Sequence, residues 1–225
     1  MAIDPDSPYK SLQECHDSDS PYKSLQECHD SGIITNSNEE MKRRVKSLSC
    51  GLAEIREHHH TEIVQFIHQS VNDFLVDDGL KVLLGNSWQS MSLAIGSAHH
   101  QLSRSCIRYI DMKEIRQWES EGWDERTKFP FLVYAIKSWL PHAEIAHSKG
   151  ISVADLLDCF HWPSNNLIGL WVKTYRMLDP FSGSCPPEGT TLIHIVARHG
   201  LIEPLSAALE HLPQLIQPEG SSRPT

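Results

Sequence analysis

The twelve residues Val64 to Leu75, VQFIHQSVNDFL, set an isolated histidine, His68, between a short apolar strand and the start of a helix. An imidazole in such a turn has two uses. It can be satisfied by nearby backbone groups, or it can act as a phosphate sensor, because its charge changes near neutral pH. The other candidates for chemistry are the remaining histidines, 14 in all, and six cysteines. His58, His59 and His60 are consecutive, as are His99 and His100. Consecutive histidines on an extended tip diverge, and on a helix only i and i+4 partners share a face, so neither group makes a metal cage. No His-Glu-x-x-His or Cys-x-x-Cys occurs. Cys15-His16 and Cys28-His29 would supply a two-plus-two tetrahedral set for zinc, but they lie in a segment expected to be flexible. No metal is therefore expected.

Nucleotide hydrolysis needs a Gly-rich cradle with its lysine, G-x-x-x-x-G-K-[ST], and the chain has none. It also lacks a G-x-S-x-G elbow and a recognisable cysteine-histidine signature. The expectation is a chain that is not an enzyme and carries no cofactor.

The elements that must position His68 follow from periodicity. Glu39 begins a helix carrying Met41, Val45 and Leu48, after which Leu52 to Glu57 and Glu62 to Ile67 alternate as a hairpin around His58 to Thr61. Ser70 followed by Asp73 resembles a capping box and predicts that the next helix starts at Ser70, carrying Val71, Phe74 and Leu75. Helices are predicted from Leu80 to about Ile95, and from Ala98 to Ile110 with Ser97 as cap. Another runs from Pro130 to about Ala146, with a kink or break near Leu140 caused by Pro141. Ser152 and Asp155 are expected to cap Val153 to His161, and Pro163 to restart the chain before Leu167 to Leu178. Trp139 and Trp171 fall at helical spacing from apolar neighbours and belong to a core; a base-stacking platform would need a positive groove beside them.

The 13 residues from Asp6 to Ser18, DSPYKSLQECHDS, recur unchanged as Asp19 to Ser31. Packing tolerates divergence between copies, so identity points to a recent duplication or a gene-model error. Disorder, or one short helix per copy, is expected, and deletion of residues 1–32 is expected to leave thermal stability unchanged. At 225 residues, 40% hydrophobic and with net charge −9, the chain can bury a core but repels polyphosphate. Only Glu39 to Lys46, EEMKRRVK, offers local basic charge, and at helical spacing that reads as a solvated face. Scattered cysteines and the lack of a signal core or a spanning segment predict a cytoplasmic chain with reduced thiols.

Cys50 to Leu80, CGLAEIREHHHTEIVQFIHQSVNDFLVDDGL, resembles the second half of the winged-helix domain that follows the NACHT module in fungal signalling ATPases of the STAND class. Ser97 to Ile110, Phe129 to Ala146 and Phe160 to Asp179 resemble the helical connector of those proteins, and Gly189 to Gly200, GTTLIHIVARHG, resembles their first ankyrin repeat. The resemblance covers about four fifths of the chain and includes the order of the blocks. It departs from the repeat pattern in Leu192, where proline usually starts the first helix, and in Pro204, expected to interrupt the second. The opening helices of the winged helix lie, in the family, upstream of a point matching Met1, and no second repeat precedes QPEGSSRPT.

The resemblance implies a mainly α fold comprising a partial winged helix with a β-hairpin, an α-helical connector and one ankyrin-like helix-turn-helix repeat. The expected organisation is a disordered duplicated segment over 1–32, a partial winged-helix region over 33–84, a connector over 85–182, a single ankyrin-like repeat over 183–215 and a disordered tail over 216–225. It further implies a non-catalytic, protein-binding scaffold in self/non-self recognition and programmed cell death, with a NACHT ATPase module or further ankyrin repeats as partners. In the family the histidine of the FIHQS-like turn contacts the terminal phosphate of ADP, a role that falls here on His68 and stays latent without a phosphate-binding loop. The alternatives are a winged-helix nucleic-acid binder using Lys42, Arg43, Arg44 and Lys46, or a non-functional gene fragment.

Overall fold

Period-two and period-3.6 stretches of this sequence become, respectively, one hairpin and a series of helices. A computed structural model describes residues 23–31, 37–58, 61–75, 79, 88–118, 129 and 131–215. It divides into two units, Ser24–Ala94 and a larger one formed mainly from Ile95 onward.

The smaller unit contains α1 (Leu25–Asp30), α2 (Asn38–Leu48), β1 (Ala53–His58), β2 (Thr61–Phe66) and α3 (Gln69–Phe74). Ser37 caps α2, its side chain accepting from Glu40 N. The strands pair antiparallel, with Ala53 opposite Phe66, Ile55 opposite Val64 and His58 opposite Thr61. Both strands therefore end one residue nearer the tip than expected, taking His58 and Thr61 out of the turn; His59 and His60 lie outside the described residues. α1 belongs to the second copy of the duplicated stretch, and its Cys28 is 5% exposed. It is the short helix expected as one of the two alternatives for this copy, and a buried thiol on it has packed neighbours. The first copy, with Cys15, and the tail over 216–225 lie outside the described residues.

A single long helix, α4 (Trp88–Ile110), links the two units in sequence. It runs unbroken through Gly96 and Ser97, where a break and a new cap were expected. A Cβ on Gly96 would stand 2.7 Å from Ile151 Cγ1 and 2.8 Å from Lys149 Cβ, so this glycine serves close packing and does not end the helix. Residues 80–87, the expected start of the preceding helix, lie outside the described residues.

The larger unit continues with α5 (Lys113–Arg116), α6 (Leu132–Ser148), α7 (Leu156–Cys159), α8 (Asn166–Leu178), α9 (Leu192–Arg198) and α10 (Ile202–Leu215). α6 passes through Pro141 without the break expected near Leu140. The apolar face around the proline is sealed by Ile136, Trp139, Ala143 and Ala146. Side chains also feed the carbonyls of the preceding turn: Trp171 Nε1 donates to Ile136 O at 2.8 Å, and Ser103 Oγ to Trp139 O at 2.8 Å. Neither carbonyl is the one that Pro141 leaves without its helical donor, Lys137 O, so it is burial of this face that offsets the roughly 3 kcal/mol by which proline disfavours a helix interior. Gly150, at φ +79°, then turns the chain so that Ile151 N bonds back to Ala146 O and Ile151 meets Gly96.

The core of this unit is aromatic. Trp139 is fully buried and meets Phe160 edge-on at 4.8 Å and Trp171 at 5.4 Å, both in the core as their spacing predicts. The segment expected as a helix from Val153 to His161 keeps only the four residues of α7. Asp155 stands at its N-cap position without a capping bond, because α4 recruits its carboxylate: His100 Nε2 lies 2.8 Å away and Arg104 Nε 3.4 Å.

α9 and α10 form a contacting helix pair. Thr191 and His194 make a reciprocal capping box at the start of α9: Thr191 N donates to His194 Nδ1 at 3.1 Å, and Thr191 Oγ1 accepts from His194 N at 3.5 Å. Gly200, at φ +64°, closes α9, with Leu201 N bonded to Val196 O at 2.9 Å. Pro204 does not interrupt the second helix. It occupies the third position of α10, in the first turn, where backbone N–H groups have no intrahelical acceptor. The pair is docked on the preceding helices by Val153 N, which donates to Glu203 Oε2 at 3.0 Å, and by His199 Nδ1, 2.8 Å from Glu144.

Candidate functional site

His68 ends the extended run of β2 and begins α3, with φ −155° and ψ 150°, so its own side chain can fold over the first turn of the helix. It is His68, not Ser70, that caps α3. Its Nδ1 accepts from Ser70 N at 3.1 Å and lies 2.9 Å from Ser70 Oγ. Asp73, the other member of the expected capping box, instead accepts from Gln69 Nε2 at 2.7 Å. An N-cap must place an acceptor over the N2 or N3 amide, and a histidine one residue before the helix reaches there through Nδ1.

This geometry fixes the tautomer. With its Nδ1 lone pair facing Ser70 N–H, the neutral ring carries its proton on Nε2 and presents one N–H donor outward. His68 is exposed and borders an open hollow of about 550 Å³ lined by Arg56, Gln65, Phe66, Ile67, His68, Gln69 and Asn72. Arg56 on β1 is already held by Glu54, its Nε 2.6 Å from the carboxylate. The hollow thus offers one imidazole donor and one neutralised guanidinium to an anion.

Apolar groups surround the turn. Val64 is 62% exposed, Phe74 55% and Ile67 46%, and Ile63 and Phe66 are open as well. The basic stretch on α2 is paired with acids on α2 and β2. Lys42 lies 3.4 Å from Glu39 and 3.8 Å from Glu62, and Arg44 lies 3.4 Å from Glu40.

The larger unit gathers the histidines that the sequence left scattered. His99 on α4 and His142 on α6 face each other, Nδ1 to Nδ1, at 2.8 Å, and Tyr134 OH lies 2.7 Å from His142 Nε2. Burial pushes the His142 pKa below its usual value, and the neighbouring charge of His99 adds to the effect. No spacing rule pairs residues 43 apart, so periodicity gave no signal for this contact. The His99–His100 doublet divides as helical geometry requires, His99 toward α6 and His100 toward Asp155. Cys50, Cys106 and Cys185 carry free thiols, and burial pushes the Cys106 thiol up to about 11, far from a thiolate at neutral pH. Among the described residues, no group of three or more His, Cys, Asp or Glu side chains converges on a metal position, and no helix is long and apolar enough to cross a membrane.

No protein-family model, curated protein or solved structure matches this chain.

Proposed function

We propose that the chain is a non-catalytic protein-interaction scaffold, related in kind to the winged-helix-to-ankyrin region of fungal NACHT signalling ATPases. The observation that carries this reading is the apolar surface of the smaller unit. Val64, Phe66, Ile67 and Phe74 are large side chains open to solvent within one hairpin and the helix after it. Contiguous apolar surface rimmed by polar groups is characteristic of protein contact sites. Helix α2, the hairpin and α3 follow in the order of a winged-helix end, and the docked pair α9 and α10 follows the helix-turn-helix order of an ankyrin unit.

Within this reading His68 is the nucleotide-facing residue of an ATPase supplied by the partner. Its outward Nε2–H suits a terminal phosphate, and one such charge-assisted bond contributes about 1 to 3 kcal/mol, too little to hold a nucleotide alone. The scaffold would pass the state of the bound nucleotide to the repeat, in self/non-self recognition and programmed cell death.

The test is complex formation between this chain and a recombinant NACHT module from a fungal ATPase of this class, followed by light scattering in ADP and in ATP. A complex that is lost in the Val64→Glu/Phe74→Glu double variant is expected. Failure to associate in either nucleotide, or indifference to the double variant, would overturn the reading.

The winged-helix nucleic-acid reading has less support, because acidic neighbours already neutralise Lys42 and Arg44. DNA affinity falling steeply between low and physiological salt would favour it over the scaffold.

A further inference from the structure

Away from the apolar hairpin, one face of α8 borders a hollow of about 700 Å³. Gly169, Val172, Lys173 and Arg176 are spaced i, i+3, i+4 and i+7, so they form a single stripe on that helix, and the segment around Glu188 and Thr190 makes the opposite wall. The volume lies within the range of small-molecule sites, about 300 to 1,000 Å³.

Gly169 is exposed on the wall of this hollow and leaves the backbone of α8 uncovered there. A glycine inside a helix weakens it, and one is ordinarily explained by a left-handed backbone or by a close neighbour. Neither applies here. Gly169 is not among the residues with positive φ, and a Cβ built on it meets nothing within 4 Å. Gly96, by contrast, is filled by Ile151 and Lys149. The side chain missing at residue 169 therefore opens space in the hollow and lets a bound molecule approach the helix backbone.

The charges select the class of molecule. Lys173 and Arg176 have no ion-pair partner among the described residues, and the bond that Arg176 donates to Pro186 O is long at 3.5 Å. With Glu188 the lining is net positive, in a chain whose net charge is −9. Val172 supplies apolar wall beside the cations.

We propose that this hollow binds a small organic anion, an apolar body carrying one phosphate or carboxylate, with the anion on Lys173 and Arg176 and the body over Gly169 and Val172. This does not depend on the scaffold reading, since it concerns a different face and needs no protein partner.

Titration calorimetry of the full chain with 1-naphthyl phosphate, 1-naphthol and inorganic phosphate tests it. The ester is expected to bind at least about tenfold tighter than either half alone. Lys173→Gln is expected to weaken the ester about tenfold and leave 1-naphthol unchanged. Gly169→Leu is expected to abolish binding of both naphthyl compounds, while Gly169→Ala raises the melting temperature and weakens binding. 1-Naphthyl carboxylate in place of the ester identifies which anion is preferred. Lys173 is exposed, so its variant reports on the site even if Gly169→Leu fails to fold. No binding of the ester, an ester no tighter than inorganic phosphate, or binding that survives both Lys173→Gln and Gly169→Ala unchanged, would overturn the proposal.

Discussion

Both nitrogens of a histidine ring can hydrogen-bond, and His68 and His142 use theirs in different ways. His68 spends Nδ1 on the backbone of its own turn, so the local sequence suffices to read it as a satisfied turn histidine. His142 sits between Tyr134 and His99, and its partners come from its own helix eight residues back and from α4. Its folded pKa lies below the usual value, because burial and the His99 charge both disfavour the imidazolium. The unfolded chain therefore binds more protons between the two values, and stability rises with pH across that window. The contribution is complete above the ordinary imidazole value of about 6.5 and is lost as pH falls through the lower folded value. His142→Asn, which keeps a hydrogen-bonding side chain, is expected to have a smaller drop in urea midpoint between pH 7.5 and pH 5.5 than the unsubstituted chain. Equal drops would show that other groups set this dependence.

At the scale of elements, the sequence shows where helices and strands exist better than where they stop. Pro141, Pro204 and the Gly96-Ser97 pair each look like punctuation, yet α6, α10 and α4 run through them. Position within the helix decides for Pro204, buried contacts decide for Pro141, and a close neighbour decides for Gly96; the last two are not local properties. Two glycines with the same local appearance consequently predict opposite outcomes. Gly96→Ala gains helix propensity of about 1 kcal/mol but forces its methyl into Ile151 and Lys149, so a net destabilisation of about 1 to 2 kcal/mol is expected in urea denaturation. Gly169→Ala keeps the propensity gain unopposed and is expected to stabilise by up to about 1 kcal/mol. A stabilised Gly96→Ala protein would show that the helix and the segment after α6 separate easily.

For the molecule as a whole, the second duplicated copy matters more than its sequence suggested. α1 buries Cys28, and Lys23 O accepts from Lys113 N at 3.1 Å, so this stretch is tied into packed structure. Deletion of residues 1–32 is accordingly expected to lower the melting temperature measured by circular dichroism. An unchanged value would return the segment to the role of an independent tail.

The mainly helical class, the hairpin, the core tryptophans and the exposed histidine turn were all readable from residue order, because each depends on periodicity or on partners within a few positions. The continuity of three helices, the His99–His142 contact and the hollow beside Gly169 were settled only by tertiary structure. Each depends on which groups distant in sequence share space, and that is set by burial of the whole apolar set at once, a quantity that no short window contains.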